Sequence, residues 1–505
     1  MTARAVLTLA AMRLEELVSA LGDPRVAGDA TAEITDLAYD TREVGPGALF
    51  LCVRGERVDG HDLAADAVDA GAVALIAERP LEQPVAQVIV PDVRAAMAPL
   101  AKRFWGDPSA ELALAGITGT NGKTTTAFLL RQILEAEGTP TGLLGTVKRV
   151  IGGREEEVER TTPEAVDLQR TLRRMLDSGD RACAMEVSSH ALAYGRADGL
   201  TFDVKVFTNL TQDHLDFHAD MEDYFRAKRM LFRSGDEAGA SSPGVAVVNV
   251  DDDYGKRLVD DLTAVGGDLL TYSASGSSTA DFRAENVEFD AAGSRFDCVG
   301  PGAQVRVAMP LPGDFNVANA LAAIAAAHAL GVSVARSAAA LEAAERVPGR
   351  FEPVEEGQEF GVLVDYAHTP DSLDNVLRAA RRVTAGRLIC VFGCGGDRDR
   401  EKRPLMGRIA ADLADLAIVT SDNPRSEDPA AIIAEILAGA GDGVEVEADR
   451  RAAIALGVER ASSGDTVLIA GKGHEQGQEF ERGRKLPFDD REVARQELRR
   501  LLAAA

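Results

Sequence analysis

The chain has 505 residues, 46% of them hydrophobic and 27% charged, which is too long for one core and gives the composition of an ordinary soluble protein of about three domains. A net charge of −26 excludes a surface suited to a nucleic-acid backbone or an anionic membrane, so any polyanionic substrate must meet a locally basic pocket. No apolar run reaches membrane-spanning length, and the five scattered cysteines (Cys52, Cys183, Cys298, Cys390 and Cys394) argue against a disulfide framework or zinc pair and for a reducing compartment.

Residues 5–11 resemble the apolar part of a secretory leader, but the run is short and reads as the start of the fold. Up to about residue 110, apolar strands at 48–53, 73–77 and 87–90 alternate with helical stretches at 63–70 and 95–104, the pattern of an α/β module. Trp105-Gly-Asp-Pro108 breaks the last helix. Next comes Gly116-Ile-Thr-Gly119-Thr120-Asn121-Gly122-Lys123-Thr124-Thr125-Thr126, between the apolar residues 112–115 and a helical pattern at 127–134. A strand, a glycine-rich turn and a helix in that order make a phosphate cradle. Backbone N–H groups turn inward, the helix N-terminus attracts anions, Lys123 reaches the terminal phosphates and the Thr124 hydroxyl can ligate Mg²⁺. The motif therefore points to ATP. It departs from the usual spacing: Ile117 stands where the first glycine would fall, and glycines recur every third residue at Gly116, Gly119 and Gly122.

Strands near 182–187, 204–208 and 245–249 predict a doubly wound sheet with the loop at a strand's carboxyl end. Glu186-Val-Ser-Ser-His190 and the run from Asn209 to His218 follow two of these strands, where strand ends face phosphates. Glu186 and His214 can complete a Mg²⁺ shell with Thr124 and nucleotide oxygens, although a histidine beside a turn equally serves as a hydrogen-bonding residue. Lys228 shares a helical face with Tyr224, Phe225, Leu231 and Phe232. It is either a snorkelling or ion-paired side chain, or a neutral amine able to take up CO₂ as a carbamate that ligates a second Mg²⁺. Residues 267–310 carry short strand-like pieces and 316–330 an alanine-rich helix. Val347-Pro-Gly-Arg350 reads as a hinge, after which strands at 361–365, 387–392, 416–420 and 466–470 build a third α/β unit with charged, glycine-rich loops where ligands should collect.

Together with Gly313-Asp-Phe-Asn316-Val-Ala-Asn319-Ala, Asp365-Tyr-Ala-His368 and Gly471-Lys-Gly-His474-Glu475, these motifs resemble the Mur ligases of peptidoglycan synthesis over nearly the whole chain, and within them the members that add the third amino acid. The resemblance implies three α/β domains: a UDP-muramyl substrate-binding domain at 1–110, a central P-loop doubly wound ATPase domain at 111–347, and a Rossmann-like C-terminal amino-acid-binding domain at 348–505. ATP would lie on Gly119, Thr120, Asn121, Gly122, Lys123, Thr124 and Thr125. Two Mg²⁺ ions would be served by Thr124, Glu186, His214 and a carbamylated Lys228. Asn316, Asn319, Arg350 and Asp365 match positions around the adenine, ribose or phosphates, Arg350 being also a plausible structural hinge residue. Thr41 and Arg42 resemble the uridine-diphosphate site, and Thr161, Thr162, Ser189 and Arg196 the site of the muramyl dipeptide; taken singly, Arg42 and Arg196 would be ordinary solvated charges. Tyr194 departs from the pattern where some relatives carry glutamine. The implied reaction is carboxylate attack on the γ-phosphate, giving an acyl phosphate that an amine then converts to an amide, with His214 a metal ligand rather than a base. The implied partners are small molecules, UDP-N-acetylmuramoyl dipeptide and diaminopimelate, with no nucleic acid and no membrane insertion, for a cytoplasmic monomer.

Asp422-Asn423-Pro424-Arg425 resembles the signature of diaminopimelate-adding members, the meso isomer being taken ahead of the LL isomer. Arg425 and Arg398 suit the distal carboxylate, and Asn423, Glu475 and the Gly471 carbonyl suit the ammonium, while a lysine ammonium would meet Arg425 unfavourably. The same four residues also suit a plain turn. A folylpolyglutamate synthetase or a lysine-adding Mur enzyme would keep the phosphate loop but lack this signature or the first domain's substrate loop. A plain ATPase or kinase would need no amine, and a scaffold would not need Glu186 and His214.

Overall fold

The computed structural model describes residues 11–22, 24–55, 58–158, 160–233, 244–441 and 443–504; the expectation for residues 5–11 falls, except for Ala11, outside them. The chain divides into two compact units, the first drawn from Met1–Gly116, Thr139–Lys205 and Ala227–Gly244 and the second from Ile117–Gly138, Val206–Arg226 and Val245–Ala505.

In the first unit a five-stranded sheet runs in the order Arg25–Ala27, Ala86–Ile89, Ala72–Ala77, Ala48–Leu51, Asp36–Ala38. All neighbours are parallel except the antiparallel edge Arg25–Ala27. The apolar runs read as strands in the sequence are these strands, with ends shifted by one or two residues. Helix Val93–Trp105 starts at Asp92, whose carboxylate accepts the Ala95 N–H, and stops at Gly106, which adopts φ +74° as a left-handed cap. Its Leu100, Phe104 and Trp105 join Leu49, Ile76 and Val88 of the sheet, and Val166 of the amphipathic helix Ala165–Asp177, in one core. Strands Thr141–Leu144 and Ala182–Glu186 pair in parallel, and the latter ends at Glu186.

In the second unit the helix Lys123–Ala136 packs on Asp314–Ala329, an alanine-rich helix buried nearly all round because small side chains let neighbouring backbones approach closely. Residues 267–310 are not short pieces. After Leu269–Ser273 they form an antiparallel meander, Phe282–Asp290, Gly293–Gly300 and Ala303–Met309, with a register shift between Glu285 and Glu288. Its strands bury only alternate side chains over much of their length, which made them look weak in a reading that sought continuous apolar runs.

The rest of this unit is a six-stranded sheet in the order Glu352–Pro353, Gly361–Asp365, Thr466–Ala470, Leu388–Phe392, Leu416–Val419, Glu445–Val446. It is parallel except at the Pro353 edge, where a missing N–H costs no ladder bond. Alternate residues feed two cores on opposite faces. Val364, Ile389, Val391 and Ile469 enter one, with helices Arg450–Arg460 and Asp490–Ala504. Leu388, Cys390, Phe392 and Leu468 enter the other, with Pro370–Val383, Lys402–Leu413 and Pro429–Ala440. The central strands therefore end together and deliver the loops at 365–370, 393–401, 420–428 and 471–476 to one edge, the crevice where ligands bind in doubly wound sheets. All five cysteines are buried thiols. Among the described residues no helix is long and apolar enough to cross a membrane.

Candidate active site

The phosphate loop keeps its shape through Thr208 and Asn209, which directly follow the strand Val204–Phe207, and through its own glycines. Thr208 N–H donates to Thr118 O (3.0 Å), Thr120 N–H to Asn209 O (2.9 Å) and Asn121 N–H to Asn209 Oδ1 (2.9 Å), while the Thr208 hydroxyl donates to Asn121 O (2.6 Å). Gly119 and Gly122 adopt φ +148° and +87°. A Cβ would stand 1.8 Å from Thr208 Oγ1 at the first and 2.3 Å from Asn319 Oδ1 at the second, so only glycine fits either place. Lys123 donates to the carbonyls of Gly119 (2.8 Å) and Thr120 (2.8 Å). Thr124 and Thr125 are buried in the first helical turn.

Residues expected around a nucleotide gather here. Asn316 Nδ2 donates to Pro312 O (2.8 Å), and Asn319 Nδ2 to Asn316 Oδ1 (3.3 Å). Arg350 Nη2 donates to Thr124 Oγ1 (3.2 Å), and the guanidinium lies 4.4 Å over the Tyr366 ring. The Asp365 carboxylate accepts the N–H groups of Phe351 and Ala367 (both 2.7 Å). Burial pushes its pKa up to about 6 against the pull of Arg350. At the Val347–Arg350 turn Gly349 has φ +65°, and a Cβ there would meet His474 N at 2.2 Å, so this segment rests against the 471–476 loop.

His214 also lies in this unit, at φ +57°, with Nε2 3.4 Å from Asp213 Oδ2. Asp213 is buried, which raises its pKa, but His214, Lys402 and His368 overcome this and hold it well below the carboxylate range. His368 is pushed down by burial and by Lys402. Asn121 Nδ2 donates to Asp371 Oδ2 (2.8 Å) and Gln212 Nε2 to Asp399 Oδ2 (3.3 Å). None of Asp213, Lys402, Asp371 and Asp399 was singled out in the sequence; the loops' clustering of charge after each strand was the available signal.

Glu186 and Lys228 belong to the first unit. Glu186 is buried at its strand end, accepting Thr146 N–H at Oε1 (2.7 Å) and the Thr146 hydroxyl at Oε2 (3.1 Å). Thr161 Oγ1 lies 3.1 Å from Thr146 Oγ1, which extends this network. Thr162 has a structural duty: its hydroxyl donates to Glu186 O (3.0 Å) and accepts Ser188 N–H (3.2 Å), pinning the turn that launches helix Ser189–Ala193. Ser189 Oγ is buried and lacks a hydrogen-bond partner among the described residues, so a ligand hydroxyl or carboxylate could satisfy it. Arg196 pairs with the buried Glu164 (2.9 Å), which also holds Arg94 and Arg160 (3.2 and 2.8 Å). Arg94 and Arg196 both lie over the Tyr194 ring, 5.1 and 5.3 Å from its centroid, which gives the departure at Tyr194 a packing role. Thr41 and Arg42 form a single 3₁₀ turn capped by Asp40, to which the exposed Arg42 guanidinium also binds. Lys228 is 1% exposed, with Tyr224, Phe225, Leu231 and Phe232 buried around the same stretch.

In the second unit the loops after three strands of the six-stranded sheet converge. A Cβ on Gly395 would stand 3.0 Å from Arg425 Nη1 and 3.9 Å from Arg398 Cγ, so the two arginines flank one glycine. Arg425, at φ +51°, donates through Nη1 to Gly396 O (2.7 Å) and through Nε to Glu479 (3.0 Å). Asn423 differs from expectation. Its Oδ1 already accepts Lys472 Nζ (2.8 Å) and Glu479 N–H (2.9 Å), and one Nδ2 N–H donates to Glu475 Oε2 (2.8 Å), so it has only its second Nδ2 N–H for a ligand, suited to a carboxylate, and not an acceptor for an ammonium. Gly471 has φ +121°, and a Cβ there would lie 2.6 Å from Asp422 Oδ2. Burial raises the pKa of Asp422, but Lys472 and Arg450 outweigh it and keep the carboxylate ionised. The wholly buried Arg450 forks onto Asp490 (2.8 and 2.7 Å) and donates to the carbonyls of Ser421 (3.3 Å) and Ala470 (3.0 Å), tying two strand ends together. Lys472 stands within a motif legible in the sequence but without a role there, and the sequence singles out neither Glu479 nor Arg450. A cation opening the helix Arg450–Arg460, against its dipole, was the signal for the last.

Three family models match the chain: Mur ligase family, catalytic domain, at residues 33–105; Mur ligase middle domain at 117–327; and Mur ligase, glutamate ligase domain, at 349–473. The UDP-N-acetylmuramoyl-L-alanyl-D-glutamate--2,6-diaminopimelate ligase of Streptomyces coelicolor is 47% identical over 97% of each chain. The protein of the same name from Geobacillus thermodenitrificans is 48% identical over 96% of this chain and 99% of its own. A solved structure of a ligase of that name superposes with a TM-score of 0.69 at 32% identity, covering 97% of this chain and 99% of the other. The ADP complex of a MurF ligase from Thermotoga maritima, 18% identical, shares the fold at a TM-score of 0.63, over 93% and 97% of the two chains.

Proposed function

The chain belongs to the Mur ligase family, and from that membership we propose that it joins diaminopimelate to the D-glutamate γ-carboxylate of UDP-N-acetylmuramoyl-L-alanyl-D-glutamate, converting ATP to ADP and phosphate. The observation that carries the choice of amine is the loop cluster in which Arg425 and Arg398 flank Gly395 while Asn423 offers an N–H donor beside the Glu475 carboxylate. In this reading the distal carboxylate is taken by Arg425, Arg398 and the second N–H of Asn423, and the distal ammonium by Glu475 and the Gly471 carbonyl. The domains are 1–110 for the UDP-muramyl substrate, 111–347 for ATP and 348–505 for the amino acid.

Catalysis follows from bringing a carboxylate to a polyanion. Lys123 exchanges its two loop carbonyls for the β- and γ-phosphates, and Arg350 leaves the Thr124 hydroxyl for nucleotide oxygens, with Asn316, Asn319 and Asp365 holding the rest of the nucleotide. A buried threonine hydroxyl and a buried carboxylate are hard oxygen ligands that suit Mg²⁺, which also tolerates an occasional imidazole, and the glycine cradle leaves room for phosphates that no Cβ would. Thr124, Glu186, His214 and a carbamylated Lys228 would hold two ions, which supply positive charge to the phosphates when bound. The substrate γ-carboxylate attacks the γ-phosphorus and ADP departs. The amine then attacks the acyl carbon, phosphate leaves, and the amine's proton is lost to solvent. Thr41, Arg42, Thr161, Thr162, Ser189 and Arg196 serve the UDP-muramyl dipeptide, the bare Ser189 hydroxyl most directly. Use of ATP and of a nucleotide-sugar precursor fits an enzyme working in the cytoplasm.

The test is phosphate release and product mass with Mg²⁺-ATP and the UDP-muramyl dipeptide, adding meso-diaminopimelate, LL-diaminopimelate or L-lysine separately. Tripeptide with a diaminopimelate isomer and not with lysine is the expected result. Product with lysine alone refutes the amine assignment, and ATP turnover indifferent to every amine refutes the ligase reading.

A further inference from the structure

Lys472 stands between two side chains to which the proposed reaction assigns the amine substrate, and it touches both. It is 0% exposed, and its Nζ donates to Asn423 Oδ1 at 2.8 Å and to Glu475 Oε2 at 2.9 Å. A primary amide has one accepting end and one donating end of nearly equal shape, so its orientation is decided by its neighbours. Around Asn423 those neighbours agree. Lys472 Nζ and Glu479 N–H (2.9 Å) face Oδ1, and Glu475 Oε2 accepts from Nδ2 (2.8 Å). Turning the amide over would set an NH₂ against an ammonium and a carbonyl oxygen against a carboxylate. Oε2 of Glu475 thus takes two donors, leaving Oε1 to accept from a ligand.

We propose that Lys472 is a positioning residue for amine selectivity, fixing the Asn423 amide with its donor toward the substrate's distal carboxylate and Glu475 with one oxygen kept for the distal ammonium. The inference rests on the reaction proposed above. Lys472 itself does not meet the substrate. It sets the polarity of two groups that do, so an amine with both a carboxylate and an ammonium at its far end is matched at each, while an amine with an ammonium alone offers no acceptor to the second Asn423 N–H, the one not given to Glu475.

The test compares wild type, Lys472→Met and Lys472→Gln for KM and kcat with meso-diaminopimelate and L-lysine, and for KM of ATP. In Lys472→Met the diaminopimelate KM should rise at least tenfold and the preference over lysine fall at least tenfold, with the ATP KM and the kcat at saturating amine within about threefold of wild type. Lys472→Gln, which keeps an N–H donor, should retain more of the preference. Asn423→Leu by itself should lose the preference, and adding Lys472→Met should take no more from the preference, because Lys472 acts on the preference through that amide while its effect through Glu475 falls on both amines, each of which carries the ammonium. An unchanged diaminopimelate KM in Lys472→Met, or equal rises in the amine and ATP KM values, overturns the inference. If Lys472→Met does not fold, an unaltered preference in Asn423→Leu overturns it. Wild-type enzyme that prefers diaminopimelate beside an indifferent Lys472→Met sinks this inference alone, whereas wild type that joins neither amine sinks the reaction with it.

Discussion

The phosphate loop and the loops proposed to bind the amine lie in the same compact unit and are built in opposite ways. The phosphate loop is one continuous run whose shape comes from glycine dihedrals and backbone bonds to Thr208 and Asn209, and its lysine rests on its own carbonyls. The amine cluster is made of side chains from three strand ends some 25 to 50 residues apart, held by buried ions: Arg450 on Asp490 and Asp422, and Lys472 on Glu475 and Asn423. A site for phosphates, which are alike in every nucleotide, can be made from backbone. One that must tell apart amines differing in a single carboxylate needs side chains of defined polarity, and those must be locked from behind.

Removing a cation should therefore do different things in the two regions. In Lys123→Met, ligase kcat/KM should fall on the order of 10³-fold with little change in thermal unfolding, because the ammonium's partners are loop carbonyls that water can reach once it is gone. In Arg450→Met the loss should be of the fold itself, about 3–5 kcal/mol in denaturant unfolding, because Asp490 is left buried and unpaired. The double variant with Asp490→Leu should regain part of that; a single variant as stable as wild type would erase the contrast.

Asp365 joins the two regions, at the end of the strand that precedes helix Pro370–Val383, and gives a pH signature. Its folded pKa is raised from 3.8 to about 6, so the folded state holds this proton more tightly than the unfolded one. The group's contribution is then greatest below about pH 4 and declines as pH rises to about 6, by up to about 3 kcal/mol. Asp365→Asn should lack that decline, so its stability relative to wild type should increase across this window in urea melts; a constant difference would show that the carboxyl is ionised throughout. Gly122→Ala should cost less than Arg450→Met, about 1–2 kcal/mol from the left-handed φ of +87°. Its Cβ would displace Asn319 Oδ1, so its clearer sign should be a raised ATP KM with the amine KM unchanged.

The same division explains what could be read in advance. The apolar strands of the six-stranded sheet and the helix after the phosphate loop were legible because each is a local run with its own periodicity and punctuation. The meander Phe282–Asp290 to Ala303–Met309 was less so, because its alternating burial is a weak local signal until strands pair. The residues of the amine cluster were visible as Asp422-Asn423-Pro424-Arg425 and Gly471-Lys472-Gly473-His474-Glu475, but the working end of Asn423 was not. That depends on Lys472 and the Glu479 N–H, which fold onto it from about 50 residues away.

The sequence by itself determined the phosphate-binding turn, the α/β alternation and the inventory of charged loops, because backbone conformation and amphipathic pattern are set by adjacent residues. Only the tertiary structure decided which charges compensate each other, which hydroxyl is left bare at Ser189 and which face Asn423 turns outward. Hydrogen-bond polarity and buried charge depend on what folding brings within about 3 Å, and chain distance carries no information about that.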